Sequence, residues 1–350
     1  MKFQKRIKIS ERILLSENSP TFIIAEIGSN HNQSLQFAKK LINAAKNSGA
    51  DAVKFQSLNF EETFHSDAQK KKTKKLYEKI NLNEKWYDKI NKYCKRKKII
   101  FFSTPTYSRS IKILNNLKVP IYKIASTNFR FNPKLDLEII NTNKPVIISL
   151  GLSTLTETSK TLKKISSKNK KIILLHCISR YPTKTKDLNL SFIKLLKDKF
   201  NCIVGLSDHS MSIDIPSYAV AIGARVIEKH FTLSRKLDGP DHHYALQPKE
   251  FKLMVNKIRN IERVYNLQNI GDKKFNKEEN LYRKIFCQKI VVTKNKKKNT
   301  KLKISDLDGL ISSNNKGIDC KNILKIKNLI LNTNIKKNTI LEWKHLKIKN

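Results

Sequence analysis

The sequence predicts an α/β protein: a (β/α)8 barrel of the TIM type followed by a small β-rich domain. Three observations predict it. Eight short, apolar, β-rich runs alternate with segments of helical spacing over about 250 residues, the arithmetic of such a barrel. Polar and ionisable residues recur at the same end of run after run. No Gly-x-Gly-x-x-Gly turn follows the first run, which disfavours a doubly wound open sheet.

The runs are residues 22–28, 51–57, 99–105, 121–126, 145–151, 171–177, 203–209 and 226–231. Several are continuously apolar, such as Phe22-Ile23-Ile24-Ala25 and Ile172-Ile173-Leu174-Leu175. Continuous apolarity suits strands buried on both faces, as in a parallel sheet. Residues 35–47 carry Leu35, Ala38, Leu41, Ile42 and Ala45 at helical spacing, with Ser34 placed as N-cap and Gly49 beyond the end. Segments 84–96, 108–118, 155–166, 188–199, 213–221 and 250–265 read the same way. Residues 57–83 are long for a strand-to-helix connection and predict a loop, covering the site or partly disordered; its lysine run at 70–75 reads as a solvated face.

These signals divide the chain into a barrel at 1–270, a polar linker at 271–283 and a small domain at 284–350, with strands expected at 284–293 and 322–331. A unit of about 70 residues folds marginally alone and often leans on a partner.

The net charge of +42, from 71 Lys+Arg against 29 Asp+Glu, invites a nucleic-acid function. The excess is mostly lysine spread through the whole chain, and arginine, the usual base-reading residue, is sparse. Dedicated nucleic-acid binding is therefore not expected, although the charge would steer anionic substrates. The scattered Cys94, Cys177, Cys202, Cys287 and Cys320 form no C-x-x-C pair and read as free buried thiols. No run reaches the ~18–20 apolar residues of a membrane span, and the basic start lacks a secretion signal's apolar stretch. A soluble cytoplasmic protein without a membrane partner is expected.

The C-terminal ends of barrel strands form the active-site rim. Those ends offer Glu26 with Asn30, Lys54 with Gln56, Ser103 with Thr104, Lys123 with Ser126, and Ser149. The later strands add His176 with Ser179 and Tyr181, then Ser207 with Asp208 and His209, then Glu228 with His230. Alternation puts Lys54 and Gln56 on one face, and Glu228 and His230 on one face. The seventh and eighth strands are neighbours in a closed barrel, so His209 and His230 are placed to meet, with Asp208 and Glu228 as the converging carboxylates. Two neutral imidazoles with open positions amid oxygen donors suit a divalent ion such as Mn²⁺ or Mg²⁺. Two hydrogen-bonded histidines without metal are the plainer alternative. Lys54 and Lys123, with the hydroxyls of Ser126, Ser149 and Ser207, can hold a phosphate or carboxylate without a P-loop. Either lysine could instead form a Schiff base, as class I aldolases do. Glu26 is placed to act as a general base or to pair with a lysine.

The motifs, taken together, resemble the sialic acid (N-acetylneuraminate) synthase family. They are Ile24-Ala25-Glu26-Ile27-Gly28-Ser29-Asn30-His31, Val53-Lys54-Phe55-Gln56, Phe102-Ser103-Thr104-Pro105, Tyr122-Lys123-Ile124-Ala125-Ser126 and Leu175-His176-Cys177 with Tyr181-Pro182-Thr183. Gly205-Leu206-Ser207-Asp208-His209-Ser210, Ile227-Glu228-Lys229-His230-Phe231-Thr232 and Gly239-Pro240-Asp241-His242 complete the series, in family order over about residues 20–265. The resemblance implies a transferase that condenses phosphoenolpyruvate with an N-acetylated amino sugar, N-acetylmannosamine or a relative, releasing phosphate and giving a nine-carbon 2-keto acid. It implies an antifreeze-like (SAF) C-terminal domain and a domain-swapped homodimer. It places the ion, usually Mn²⁺ with Mg²⁺ or Co²⁺ as alternatives, on His209 and His230, and implicates Glu26 in the chemistry. It assigns Lys54, Thr104, Lys123, Ser126, Ser149, Ser179 and Ser207 to phosphoenolpyruvate, and Gln56, Tyr181, Glu228 and Asp241 to the sugar.

Two departures stand out. Ser179 occupies a place where some relatives have Asn before the Tyr-Pro pair. Relatives commonly carry Lys-Arg-Pro-Gly before a Gly-Ile in the small domain, and that arginine touches the sugar's N-acetyl group in the partner's site. Here Ser312-Ser313-Asn314-Asn315-Lys316 precede Gly317-Ile318, and a lysine lacks the planar guanidinium fork. The acceptor is thereby open between N-acetylmannosamine and a 2,4-diacetamido-trideoxy hexose, as used for legionaminic acid. A basic nucleic-acid-binding protein on a barrel scaffold is the competing class.

Overall fold

The computed structural model describes residues 1–68, 70–265 and 272–347. It divides into two compact units, 1–270 and 271–350. The first unit holds the eight parallel strands: β1 Phe22–Gly28, β2 Ala52–Ser57, β3 Ile100–Pro105, β4 Tyr122–Ile124, β5 Val146–Ser149, β6 Ile172–Cys177, β7 Ile203–Asp208 and β8 Val226–His230. Their hydrogen-bonded order is β3-β2-β1-β8-β7-β6-β5-β4, and β3 lies beside β4, bringing the two ends of the sheet together. This is the predicted barrel: β1 matches its run residue for residue, and each of the other seven runs is trimmed at one end or both.

Alternation along the strands makes two apolar layers. Ile23, Ala25, Val53, Ile148, Leu174 and Ile227 face outward into a core shared with helices α1 Leu35–Asn47, α3 Tyr87–Arg96 and α9 Pro248–Val264. Phe22, Ile24, Phe102, Ile147, Ile173 and Val226 face inward. Joining that interior layer are Ile7 and Leu15, from an antiparallel hairpin of Arg6–Lys8 and Leu14–Ser16 that has no counterpart in the sequence prediction. The inward apolar layer gives way to polar side chains toward the C-terminal ends of the strands. That switch creates the site.

Residues 57–83 are less loose than expected. They contain α2 Lys71–Ile80, which buries no residue, so the lysine run does occupy a solvated helix. A further helix, α5 Pro133–Ile140, begins with the Asn132 side-chain cap and a proline in its first turn. The remaining helices are α4 Ser108–Asn116, α6 Leu155–Ile165, α7 Ser191–Phe200 and α8 Ile215–Ala221. Among the described residues, no helix is long and apolar enough to cross a membrane.

In the second unit, residues 277–283 of the expected linker belong to a helix, α10 Lys277–Ile285, with Asn276 and Glu279 forming a reciprocal capping box. Strands β9 Gln288–Val292 and β10 Leu307–Ile311 pair antiparallel, as do β11 Ile330–Leu331 and β12 Leu346–Lys347. The strand expected at 322–331 is mostly replaced by a helical turn, α11 Ile323–Ile326. Ile290, Val292, Leu302, Ile318, Leu331 and Leu341 form this unit's own core. In the stretch where the arginine is missing, Lys316 is exposed and its N–H donates to the Asn314 side chain.

Candidate active site

A cavity of about 200 Å³ opens at the C-terminal mouth of the barrel. Glu26, Lys54, Gln56, Thr104 and Lys123 line it on one side; Ser126, Ser149, Tyr181, Ser207, His209, Glu228 and His230 line the rest. Strand register brings them there: Glu26 pairs with Lys54 across β1 and β2, His230 with Glu26 across β8 and β1, and Ser207 with Glu228 across β7 and β8.

The floor is a buried lattice of four charges. Lys54 Nζ lies 2.6 Å from Glu26 Oε2, 3.7 Å from Glu228 Oε2, and donates to Thr104 Oγ1 at 3.0 Å. Lys123 Nζ lies 2.8 and 3.0 Å from the two Glu228 oxygens. Gln56 donates to Glu26 Oε1 at 2.9 Å and Ser207 to Glu228 Oε1 at 2.9 Å. Burial pushes the Glu26 carboxyl up, opposed mainly by Lys54. Burial also presses on Glu228, but Lys123 and Lys54 overcome it and hold its carboxyl below the usual range. The two ammoniums that would receive an anion are therefore paired with two carboxyl groups. The Ser149 hydroxyl is buried with no hydrogen-bond partner. An unpartnered donor lining one cavity with two buried ammoniums is an arrangement that an oxyanion completes.

Above the lattice stand the two imidazoles, their ring centroids 5.6 Å apart. His209 Nδ1 lies 2.8 Å from the Ile178 carbonyl. That bond fixes the tautomer with the proton on Nδ1 and leaves Nε2 as a lone-pair donor, as in histidine ligands oriented from behind. His230 Nδ1 is buried and unpartnered, 4.0 Å from Asp241 Oδ2. Burial, with the neighbouring His230, lowers His209 to about 3, and burial lowers His230 to about 4. Both rings are neutral at pH 7, as a metal ligand must be. Among the described residues no three His, Cys, Asp or Glu side chains are grouped so as to hold a metal ion. The Tyr181 ring stacks on His209 at 4.1 Å between centroids and is half exposed, a wall at the mouth.

Two predicted residues stand just behind the cavity. Ser179 Oγ is 2.9 Å from Ser126 Oγ, and Asp241 accepts from Ser29 and Tyr244. Four rim expectations are corrected. Ser103 turns outward to Ser57 and the Phe55 carbonyl. His176 turns outward to the Leu188 carbonyl. Asp208 pairs with Lys229 outside the barrel, so Glu26, not Asp208, is the second carboxylate beside Glu228. Asn30 donates to the Phe231 carbonyl and joins the β1 and β8 ends instead of lining the cavity.

Gly28 closes β1 at a positive φ of +52°. A β-carbon there would lie 2.9 Å from Asp241 Oδ2 and 3.2 Å from Glu26 Oε1. Gly28→Ala is expected to cost about 1–2 kcal/mol for the backbone alone and to displace the two carboxylates. Urea unfolding and kcat should both fall.

The pattern of the NeuB family matches residues 41–269. The chain belongs to the NeuB family. It is 38% identical over 292 residues to the N,N'-diacetyllegionaminic acid synthase of Campylobacter jejuni, spanning 79% of this chain and 86% of that one. It is equally 38% identical over 291 residues to a pseudaminic acid synthase of the same species, spanning 79% and 83%. The structure of a sialic acid synthetase from Leptospira borgpetersenii superposes with a TM-score of 0.75 at 34% identity, covering 81% of this chain and 98% of that one.

In this NeuB family chain the sequence reasoning missed Cys177, which lines the cavity with its thiol neutral because burial pushes it up to about 11. Its inward direction follows by alternation from Ile173 and Leu175, so the signal was present. Leu58 and Thr106 also line the cavity, but they sit in loops beyond the strands, where alternation gives no direction.

The neutral imidazoles carry a pH consequence. Folded, they take up protons only near pH 3–4; unfolded, they do so near the ordinary 6.5. Between those limits the unfolded chain binds more protons, so stability falls as pH drops from about 6.5 toward 4. A loss of up to about 2 kcal/mol per imidazole is expected between pH 7 and 5. Urea titrations at the two pH values measure it.

Proposed function

We propose that this nonulosonic acid synthase condenses phosphoenolpyruvate with the open-chain form of an N-acetylated amino sugar. The observation that carries the proposal is the juxtaposition of an anion floor, Lys54 and Lys123 with serine and threonine hydroxyls, and a pair of lone-pair imidazoles in one cavity. The phosphate and carboxylate of phosphoenolpyruvate would take the ammoniums from Glu228 and Glu26. Ser149 would donate the hydrogen bond it lacks. A divalent ion held by His209 and His230, Mn²⁺ first with Mg²⁺ or Co²⁺ as alternatives, would polarise the sugar's aldehyde oxygen.

The methylene carbon of phosphoenolpyruvate then bonds to the aldehyde carbon. The carbonyl electron pair moves to oxygen, which takes a proton. Water adds to the cation left at the middle carbon, and the C–O bond to phosphate breaks, giving the 2-keto acid and inorganic phosphate. Glu26, raised by burial and set beside Lys54, suits proton traffic at this step. Gln56, Tyr181, Glu228 and Asp241 surround the place for the sugar.

The acceptor is proposed as N-acetylmannosamine or a 2,4-diacetamido-trideoxy hexose. The second choice is supported by the similarity to the legionaminic acid synthase and by the missing arginine before Gly317. Phosphate release from phosphoenolpyruvate, assayed with Mn²⁺ across a panel of both sugar types, decides between them. Release should require both metal and sugar. Salt-sensitive retention on DNA without turnover on any sugar would instead favour a nucleic-acid protein. The small unit is proposed as an antifreeze-like domain of a homodimer, so light scattering should report twice the 40.6 kDa chain mass.

A further inference from the structure

The motifs around the two imidazoles contain a second pair of charges that the chemistry above does not use. Asp208 and Lys229 are direct partners across β7 and β8, one rung beyond Ser207 and Glu228. Their side chains point outward from the barrel, opposite to the site. Both are 1% exposed, and Lys229 Nζ lies 2.6 Å from Asp208 Oδ2.

The pair extends into a closed network through Ser210. Lys229 Nζ also donates to the Ser210 carbonyl and, at 3.3 Å, to Ser210 Oγ. Ser210 returns its N–H to Asp208 Oδ1 at 2.8 Å and its hydroxyl to Asp208 Oδ2 at 3.1 Å. The three ammonium donors thus meet three acceptors, and each carboxylate oxygen accepts at least one bond.

The position of this network matters more than its strength. Asp208↔Lys229 is the last rung of the β7–β8 ladder, so His209 lies past the paired strand. His230 is anchored on the other side by pairing with Glu26 of β1. The residues on either side of His209, Asp208 and Ser210, are both tied to Lys229, the residue before His230. A buried ion pair adds little net stability over an apolar pair of equal volume, and its best-attested use is to fix register.

We infer that the Asp208–Lys229–Ser210 network is a clamp that sets His209 against His230, and that Asp208 and Lys229 are positioning residues for the metal-binding pair. The inference rests on the proposed metal role of the two imidazoles. Outer partners that orient histidine ligands change metal affinity by about 10–100-fold when removed.

The test uses the full chain and its Asp208→Asn, Lys229→Met and Asp208→Leu/Lys229→Met variants. The double variant removes both charges and keeps the protein testable if a single change leaves an unpaired buried charge that prevents folding. Free Mn²⁺ is counted by electron paramagnetic resonance during titration, and the imidazole ¹⁵N–¹H spectrum is recorded without metal. The expected result is Mn²⁺ binding weakened about 10–100-fold, turnover recovering as Mn²⁺ is raised, and loss of the single sharp His209 Nδ1–H signal. A folded double variant that binds Mn²⁺ as tightly as the parent and keeps that signal overturns the clamp. If the parent binds no Mn²⁺, the metal proposal fails instead, and the metal-free imidazole spectrum still judges the clamp.

Discussion

Replacing His209 or His230 with alanine is expected to lower phosphate release by about 10³-fold or more. An ion that polarises a carbonyl supplies several kcal/mol of transition-state stabilisation, and each 1.4 kcal/mol is about tenfold in rate. The two variants should match in activity yet differ in stability. His209→Ala removes the ring's hydrogen bond to the Ile178 carbonyl, which still accepts from the Arg180 N–H at 2.8 Å, so the loss is that of one ordinary hydrogen bond, about 0.5–1.5 kcal/mol. His230→Ala removes a buried nitrogen that has no partner, so it forfeits no hydrogen bond at Nδ1. Steady-state phosphate assays beside urea unfolding separate the effects. Activity that survives chelation and both substitutions would remove the metal from the mechanism and leave the histidines as polar wall residues.

That the two imidazoles could be placed from sequence follows from how barrel strands are written. A strand buried on both faces reads as an uninterrupted apolar run, so Phe22-Ile23-Ile24-Ala25 and Ile172-Ile173-Leu174-Leu175 announce themselves, and the polar residues that break such runs mark the mouth. Within a strand, alternation gave the directions of Lys54 with Gln56 and of Glu228 with His230. Applied to neighbours it also turns Ser103, His176 and Asp208 away, because each is one residue from an inward side chain. Taking every polar residue at a strand end as a rim residue ignored that rule. The hairpin carrying Ile7 and Leu15 was illegible for a different reason. One apolar residue between charged neighbours, as in Arg6-Ile7-Lys8, gives no period to read, and only the barrel interior explains why it is buried. The small unit was hard on the same ground, since a two-residue strand such as Ile330–Leu331 is shorter than any pattern that could identify it.

Lys123→Met is the second large effect expected, and it separates the anion floor from the fold. Lys123 Nζ contacts both oxygens of Glu228, and both side chains are almost wholly buried. Removing the ammonium leaves Lys54 alone to face Glu26 and Glu228. Breaking a buried pair from one side costs about 3–5 kcal/mol, because a charge is left without its partner. In the parent the Glu228 carboxyl is held low; without Lys123, burial dominates and pushes it up. The folded variant should therefore take up a proton that the parent does not. Relative to the parent, its stability should be lowest near pH 8 and recover as pH falls toward about 5. The KM for phosphoenolpyruvate should rise about 10–100-fold, the worth of one charge-assisted hydrogen bond. Lys123→Met/Glu228→Gln then decides between causes. Removing the stranded carboxylate should restore stability and abolish its pH dependence, while the raised KM persists. A double variant that regains the parent's KM would show that Lys123 serves only to neutralise Glu228, and would leave Lys54 and the hydroxyls to hold the anion without it.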